Sequence, residues 1–383
     1  MIYNMKTKHT LLQLGKFFPP NWGGIETVTY NLAVGLTNQG NANTVVAFGD
    51  SNTTEILSVS GNIAEIHSSK HVKILHAPIS IGYFLNFKRL STECDVVVVH
   101  LPNPFAIISL MLSGYKDKVV LYWHSDIINK GLIGWLIRPL ELWVISRADV
   151  VVAPTNAHLQ FSRHASLLQS KGKVVPYPID ARLVTIANLH INLPRTLVGK
   201  KEIRVLAIGR LVEYKGLEYL VRAIPFLLNK HHIRVDVLGD GPLKAYLLAL
   251  ISELGLEQSV LLHGAVTEDV RDNYLSHADI FCFPSITKQE MYGMVQLEAM
   301  AYGLPIISTD ILGSGSAELT RMTGAGIVIS PCSSDEIGFA IERLIDDPKL
   351  YSVLSDAGLN AVVNIFKPAT LVKQLLQSFS QQA

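Results

Sequence analysis

The run Phe281-Cys282-Phe283-Pro284-Ser285-Ile286-Thr287-Lys288-Gln289-Glu290-Met291-Tyr292-Gly293-Met294-Val295-Gln296-Leu297-Glu298-Ala299-Met300-Ala301-Tyr302-Gly303-Leu304-Pro305 carries the pattern from which the fold can be read. An apolar strand, 280–283, stops at Pro284. Gly293 stands where a helix should begin, and Gly303 with Pro305 ends that helix and leads into a second apolar strand, 306–309. Strand, helix and strand, with both strands apolar throughout, predict a buried parallel sheet with crossover helices. Two carboxylates, Glu290 and Glu298, stand eight residues apart around the glycine. A helix starting near Tyr292 aims free N–H groups and a positive dipole end at the preceding loop, which suits a phosphate. Tyr292, Gly293, Met294 and Val295 are therefore candidate phosphate-binding positions. Glu290, ahead of the helix, can meet a sugar hydroxyl. Glu298, about two turns in, can meet a ribose, since a carboxylate accepts two hydrogen bonds from a vicinal diol. The plainer alternative is a solvated helix with ordinary surface glutamates.

The same alternation extends in both directions. Toward the N-terminus, apolar runs at 203–208, 233–238 and 260–263 read as strands with helical segments between them, and a further strand follows at 326–329. A first set begins at 10–14, continues through a loop at 15–24 and a helix at about 25–38, and then gives strands at 44–48, 72–76, 96–100, 119–123 and 150–154. A chain of 383 residues that restarts a strand–helix alternation predicts two doubly wound α/β domains. The division expected is a first domain at 1–180, a linker at 181–202, a second domain at 203–366, and a C-terminal helix at 367–383 that can cross back to the first. The linker is placed by Pro176, Pro178 and Pro194 and by weak periodicity around them. Doubly wound domains bind ligands outside the carboxyl ends of their strands, so the active site is expected in the cleft between the two.

Several strand ends carry suitable chemistry. Gly209-Arg210-Leu211-Val212-Glu213-Tyr214-Lys215-Gly216 follows the strand 203–208 directly. Arg210 as a fork and Lys215 as a point charge can clamp a diphosphate and stabilise the charge that develops when a nucleoside diphosphate leaves. Asn21-Trp22-Gly23-Gly24 opens the first helix, and Gly23 and Gly24 permit close approach of backbone to a phosphate or sugar. The motif is not G-x-G-x-x-G and has no evident acidic ribose partner, so a nicotinamide-type domain is rejected. His124, followed by Ser125 and Asp126, closes the strand 119–123, where orienting a sugar suits it better than abstracting a proton. Gly239-Asp240-Gly241-Pro242 reads as a tight turn. In His263-Gly264-Ala265-Val266-Thr267 the backbone near Val266 can meet a nucleobase, with a plain loop as the alternative. Glu290, His124, Arg210 and Lys215 are the catalytic candidates. No set of residues has metal-ligand spacing, and neither a metal nor another cofactor is expected.

Composition narrows the setting. Hydrophobic residues make up 49% and charged residues 17%, which buried parallel strands and a lipid-facing surface would both explain. Residues 1–195 carry 17 Lys and Arg against 11 Asp and Glu, and residues 196–383 carry 16 against 21, so the first half is basic and the second acidic. A basic half suits anionic lipid or a pyrophosphate-bearing acceptor, with ordinary surface scatter as the alternative. Cys94, Cys282 and Cys332 are far apart, which speaks against disulfides or structural zinc. Nothing reads as a signal peptide or a spanning helix. The apolar stretch 131–145 is expected to be a core-facing helix, and 79–90, with Ile81, Phe84 and Leu85 beside Lys88 and Arg89, is a candidate membrane contact or a core helix with a basic end.

Taken together, these residues resemble the retaining glycosyltransferases of family 4, from Phe17–Gly24 to the last helix, most specifically at 209–216 and 285–305. The resemblance implies the GT-B fold, two Rossmann-like domains facing across a cleft. Carried over, Glu290 contacts the donor sugar, Glu298 the ribose, and Arg210 and Lys215 the diphosphate. Gly24 approaches the diphosphate from the other domain, and His124 meets the sugar near its C6 hydroxyl. It also implies metal-independent transfer with no protein nucleophile, the leaving phosphate helping to take the acceptor's proton. The wording of 287–290 and 294–298 is similar to that of bacterial mannosyltransferases of O-antigen and other surface polysaccharides. That similarity implies GDP-mannose or another nucleotide sugar as donor and a polyprenyl-diphosphate-linked glycan as acceptor. The place implied is cytoplasmic, peripheral at the inner face of the cytoplasmic membrane. The loop 311–318 lacks the proline many such enzymes carry there. A UDP-sugar-dependent transferase, a nucleotide-sugar 2-epimerase and an inactive binding protein stand as alternatives. No nucleic-acid partner is implied.

Overall fold

The computed structural model describes residues 9–20, 23–74, 77–126 and 132–380. It divides into two compact units, one running to Asp180 and resuming at Phe366, the other spanning Ala181–Ile365. The first unit contains, in order, β1 (Thr10–Phe17), α1 (Gly24–Asn38), β2 (Ala42–Gly49), β3 (Thr53–Val59), β4 (Asn62–Lys70), β5 (Val72–Ile74), β6 (Ala77–Ile79), α2 (Ile81–Leu90), β7 (Val96–Leu101), α3 (Pro104–Ser113), β8 (Lys118–Trp123), α4 (Leu132–Arg147), β9 (Val150–Ala153), α5 (Asn156–Gln160), α6 (Ala165–Lys171) and β10 (Gly172–Val174). The second contains α7 (Ala181–His190), β11 (Ile203–Ile208), α8 (Leu217–Leu228), β12 (Ile233–Leu238), α9 (Lys244–Glu253), β13 (Val260–Gly264), α10 (Glu268–His277), β14 (Ile280–Phe283), α11 (Met294–Ala301), β15 (Ile306–Thr309), α12 (Ser316–Thr323), β16 (Gly326–Ile329), α13 (Ser334–Asp346) and α14 (Pro348–Asn364). The last helix, α15 (Pro368–Ser380), returns to the first unit.

Each unit is built on one twisted sheet. The order is β10-β9-β8-β7-β1-β2-β4-β3 in the first and β13-β12-β11-β14-β15-β16 in the second. Within these two sheets all neighbouring strands run parallel except the hairpin β3–β4. In the second unit the chain builds outward from β11 through β12 and β13, then restarts on the other side with β14, so the topological switch lies between β11 and β14. The equivalent switch in the first unit lies between β1 and β7. Strands such as Val96–Val99, Val119–Leu121, Val150–Val152 and Phe281–Cys282 are almost wholly buried, which is why they read as unbroken apolar runs.

Four expectations need correction. The stretch expected as linker opens on α7, whose Leu183 and Ala187 are buried and which packs on α11 and α14. Two modest apolar anchors between prolines gave too weak a period to show. The strand expected at 72–76 is the short β5, paired only with β6 outside the main sheet, and His76 lies outside the described residues. The hairpin β3–β4 was not expected: β3 is a mostly exposed edge strand whose Leu57 and Val59 are only partly buried, and the turn at Ser60 and Gly61, both with positive φ, is the two-residue type that suits a hairpin. Finally, α4 is not wholly core-facing, since Trp135 is 69% and Leu136 57% exposed. The segment at 79–90 divides by face: α2 buries Tyr83 and Phe87 and exposes Ile81, Leu85, Lys88 and Arg89. Helix α15 packs on α1, where Gly35 leaves room for Val372, and buries Leu371, Leu375 and Phe379. No helix among the described residues is long and apolar enough to cross a membrane.

Candidate active site

In the second unit the chemistry gathers at the switch between β11 and β14. Beyond β11 the chain turns at Gly209 and runs through exposed Arg210 to a short 3-10 turn, Glu213–Lys215. Beyond β14 it runs from Pro284 to Gly293. The Lys215 ammonium spans the two loops: its stem passes over Gly209, where a Cβ would lie 3.0 Å from Lys215 Cε, its Nζ sits 5.0 Å from the Phe283 ring centroid, and it donates to Glu290 Oε2. The side chains of this pair are only 14% and 11% exposed. Ser285 Oγ donates to the same Glu290 oxygen at 3.2 Å. A half-desolvated carboxylate and ammonium hold each other in a fixed geometry that water alone would not impose.

The loop bearing Glu290 is pinned along its length. Ile286 N donates to Tyr214 O at 2.8 Å, Gly315 N donates to Met291 O at 2.7 Å, and the hydroxyls of Thr309 and Ser314 donate to the carbonyls of Ser285 and Glu290. Thus the segment 311–318, which lacks the proline, serves here as a brace for Glu290. Gly293 caps α11 with φ +79°, and a Cβ there would lie 2.7 Å from the Phe283 ring, so only glycine fits. No side chain caps this helix, and the N–H groups of Met294 and Val295, in its first turn, have no intrahelical acceptor.

Glu298 lies one turn into α11, not two, because the helix begins at Met294. Its carboxylate faces α10, with Oε2 3.1 Å from Arg271 Nε. Burial raises its pKa, and Arg271 offsets that in part. Arg210 is not drawn into the Lys215–Glu290 pair; its guanidinium reaches the Tyr214 hydroxyl at 3.3 Å. Val266, half-buried, follows β13, whose His263 is held by Asp236 at 2.7 Å and Tyr274 at 3.1 Å. The turn Gly239–Pro242 is more than a turn. Leu211 N donates to Asp240 O and Leu243 N donates to Leu211 O, each at 3.0 Å, so it clasps the Arg210 loop.

The first unit carries the remaining candidates. Gly23 and Gly24 are exposed at the start of α1, and a Cβ on Gly24 would meet nothing within 4 Å. Asn21 and Trp22 lie outside the described residues. His124 is buried at the end of β8 in a directed chain of hydrogen bonds. Gln13 donates through Nε2 to Asn43 at 3.0 Å, leaving its Oε1 to accept from His100 Nε2 at 2.9 Å. His100 Nδ1 then accepts from His124 Nε2 at 3.0 Å, and His124 Nδ1 accepts from the Tyr177 hydroxyl at 2.7 Å. Both ring nitrogens of His124 are thus engaged by protein. The sequence alone did not reveal Gln13, His100, Tyr177, Ser285, Ser314 or Arg271; Tyr177 stands between Pro176 and Pro178, where no periodic element marks it.

Burial lowers the pKa of His100 and of His158 to about 3, and burial with the neighbouring His100 and His158 lowers that of His124 well below the ordinary value. All three are therefore neutral at pH 7. The unfolded chain takes up these protons near pH 6.5 while the folded protein does not, so stability is fully present above 6.5 and is lost as pH falls toward 3. Each buried imidazole should cost about 2 kcal/mol at pH 5. Urea unfolding of the first unit should give a lower midpoint at pH 5 than at pH 7.5; an equal or higher midpoint at pH 5 would contradict this reading.

Comparison with known proteins identifies the family. The profile described as Glycosyl transferases group 1 matches residues 192–360, and that described as Glycosyltransferase Family 4 matches residues 22–183. The chain is 26% identical to O-antigen chain mannosyltransferase C of Escherichia coli, over 86% of each chain, and 28% identical to D-rhamnosyltransferase WbpZ of Pseudomonas aeruginosa, over 85% of this chain and 84% of that one. It is 30% identical to the GDP-mannose-dependent alpha-(1-6)-phosphatidylinositol monomannoside mannosyltransferase of Mycolicibacterium smegmatis, over 71% of this chain and 73% of that one. Among solved structures, Anabaena HepE in complex with UDP superposes with a TM-score of 0.73 at 18% identity, covering 97% of this chain and all of that one. With both profiles matched in sequence order, two parallel-sheet units and a cation–carboxylate pair at the switch point, the chain belongs to the family 4 glycosyltransferases, and its fold is the two-domain Rossmann-like GT-B fold.

Proposed function

We propose that this glycosyltransferase moves mannose from GDP-mannose, with retention of configuration, onto a lipid-linked glycan in the synthesis of a surface polysaccharide. The observation that carries the reading is the Lys215–Glu290 pair beside the uncapped start of α11. A cation, a row of free N–H groups and a carboxylate together suit a nucleoside diphosphate bonded to a polyol. Arg210 and Lys215 take the charge of the leaving diphosphate, so no metal is required for that task. Glu290 accepts from a sugar hydroxyl, Glu298 from the ribose, and the backbone near Val266 meets the base. The roles of Gly23, Gly24 and His124 rest on the family resemblance. The mannose assignment is supported by the names of the Escherichia coli and Mycolicibacterium relatives. The D-rhamnosyltransferase relative, of similar identity, favours a 6-deoxyhexose as the competing donor sugar.

Peripheral contact with the inner face of the cytoplasmic membrane is supported by Ile81 and Leu85, 77% and 56% exposed, beside Lys88 and Arg89 on α2. Helices α2, α3 and α4 pack in succession, and α4 adds exposed Trp135 and Leu136. Transfer of labelled sugar from GDP-mannose, from its 6-deoxy counterpart and from UDP-sugars to extracted polyprenyl-diphosphate glycans tests the function. Product from GDP-mannose alone is expected; product from a UDP-sugar alone would overturn the donor.

Gly24 offers a narrower test. It is the first residue of α1 with open space around it, and Ala favours a helix over Gly by up to about 1 kcal/mol. Gly24→Ala should leave the melting temperature unchanged or higher yet raise the donor KM about tenfold. An unchanged KM would remove Gly24 from the donor site.

A further inference from the structure

Glu298 is embedded in a set of charges that no part of the proposed reaction yet uses. On α10, Glu268, Arg271 and Asp272 share one face at spacings of three and four residues. Arg271 Nε lies 3.1 Å from Glu298 Oε2, and Arg271 donates to Glu268 through a second nitrogen, also at 3.1 Å. Arg182 of α7 donates to Glu268 at 2.5 Å and to Asp272. The five groups form a fixed arch of two guanidiniums and three carboxylates, with Glu298 at its end on α11. The Arg271 and Glu298 side chains are 27% and 21% exposed, so water covers little of their contact. Neither Arg271 Nε nor Glu298 Oε2 has an aligned hydrogen-bond partner, and both atoms are buried. The two are close enough to attract and are joined by charge rather than by a directed bond.

We propose that Arg271 is a positioning residue for Glu298: it keeps the carboxylate ionised and holds it in place to accept from the ribose diol. The proposal rests on the assignment of Glu298 to the ribose. A carboxylate accepts from two hydroxyls, whereas a protonated carboxyl spends one oxygen as a donor. The charged groups acting on Glu298 are Arg271, then Asp272 and Glu268 from α10, and Arg182 from α7. Burial and both acidic neighbours favour protonation, and Arg271 is the foremost group opposing them. Without Arg271 the carboxyl protonates at a higher pH, so nucleotide affinity must fall as the solution is acidified.

The test is calorimetric titration of the full chain with GDP and with UDP, and with the 2′,3′-dideoxy form of each, at pH 6 and pH 8. The variants are Arg271→Gln, Arg271→Lys and Glu298→Gln. For whichever ribonucleotide binds the wild type, Arg271→Gln should weaken binding about tenfold at pH 6 and less at pH 8, with little change for the dideoxy form. Arg271→Lys, which keeps the charge and guards against a variant that fails to fold, should recover most of the affinity. Adding Arg271→Gln to Glu298→Gln should cost nothing more. An equal loss for ribose and dideoxy nucleotides at both pH values would overturn the proposal and make Arg271 a brace or a direct ligand of base or phosphate. Equal wild-type affinity for the ribose and dideoxy forms, or no binding of either nucleotide, would instead overturn the ribose assignment on which the proposal stands.

Discussion

Glu290→Gln is expected to lower the turnover number by two to three orders of magnitude, about the effect of removing one preorganised electrostatic group from a reacting centre. The substitution is nearly isosteric, and the amide oxygen can still accept from Ser285 Oγ. What it removes is the charge that holds Lys215. That lysine is 14% exposed and lies over Gly209 and against Phe283, so losing its partner leaves a buried cation to relax toward solvent. Breaking a buried pair from one side costs about 3 kcal/mol, which a thermal melt should register. Steady-state kinetics on the folded variant should show kcat falling more than the donor KM changes, as the role proposed for Glu290 on the sugar side requires. A variant with wild-type kcat would remove Glu290 from the reacting centre.

Gly239→Ala is expected to be the most damaging single methyl group in the second unit. Gly239 has φ +137°, and a Cβ there would lie 1.9 Å from the carbonyl oxygen of Gly209. The contact is backbone on both sides, so no side chain can swing away. The strand ends of β11 and β12 are tied by Gly209 N donating to Leu238 O at 2.9 Å, and Gly239 N donates to Gly264 O at 2.7 Å. Overpacking and an unfavourable backbone conformation together should cost about 3 kcal/mol. The Gly209–Lys215 loop must also move, and a displacement of about 1 Å in a positioning group is enough to lose two orders of magnitude in rate. Gly61→Ala is the control: its φ is +81° but a Cβ meets nothing within 4 Å, so it should cost about 1 kcal/mol and leave activity intact. Equal melting temperatures for the two variants would show that the clasp between the Gly209 and Gly239 turns is slack.

The parts of the fold that were legible in the sequence are mostly the strands buried on both faces. In the second unit 203–208, 233–238, 280–283, 306–309 and 326–329 read as strands with the observed bounds, because each is a short apolar run closed by glycine, proline or a polar turn. The β3–β4 hairpin was invisible because its edge strand is mostly exposed, with Leu57 only partly buried against the core, and α7 because Leu183 and Ala187 are its only buried residues. The apolar α4 misled in the other direction: hydrophobicity alone did not tell that Trp135 and Leu136 point outward. At the candidate site, Arg210, Lys215, Glu290 and Gly293 could be singled out because chemistry at the end of a buried strand stands out against the apolar run before it, and the structure pairs Lys215 with Glu290. Their supports could not. Ser314 reaches Glu290 from 24 residues away and Arg271 meets Glu298 from another helix, and no local period encodes such contacts.

The central claim is that the donor's diphosphate is held at Lys215, beside Glu290 and the start of α11. Calorimetric titration of GDP-mannose into the wild-type chain and into Lys215→Ala, without added metal, tests it most directly. The account predicts saturable binding to the wild type and a loss of about a hundredfold or more in the variant, as expected when one member of a buried, hydrogen-bonded charge pair at a ligand site is removed. Equal affinity of the two proteins for GDP-mannose would contradict it.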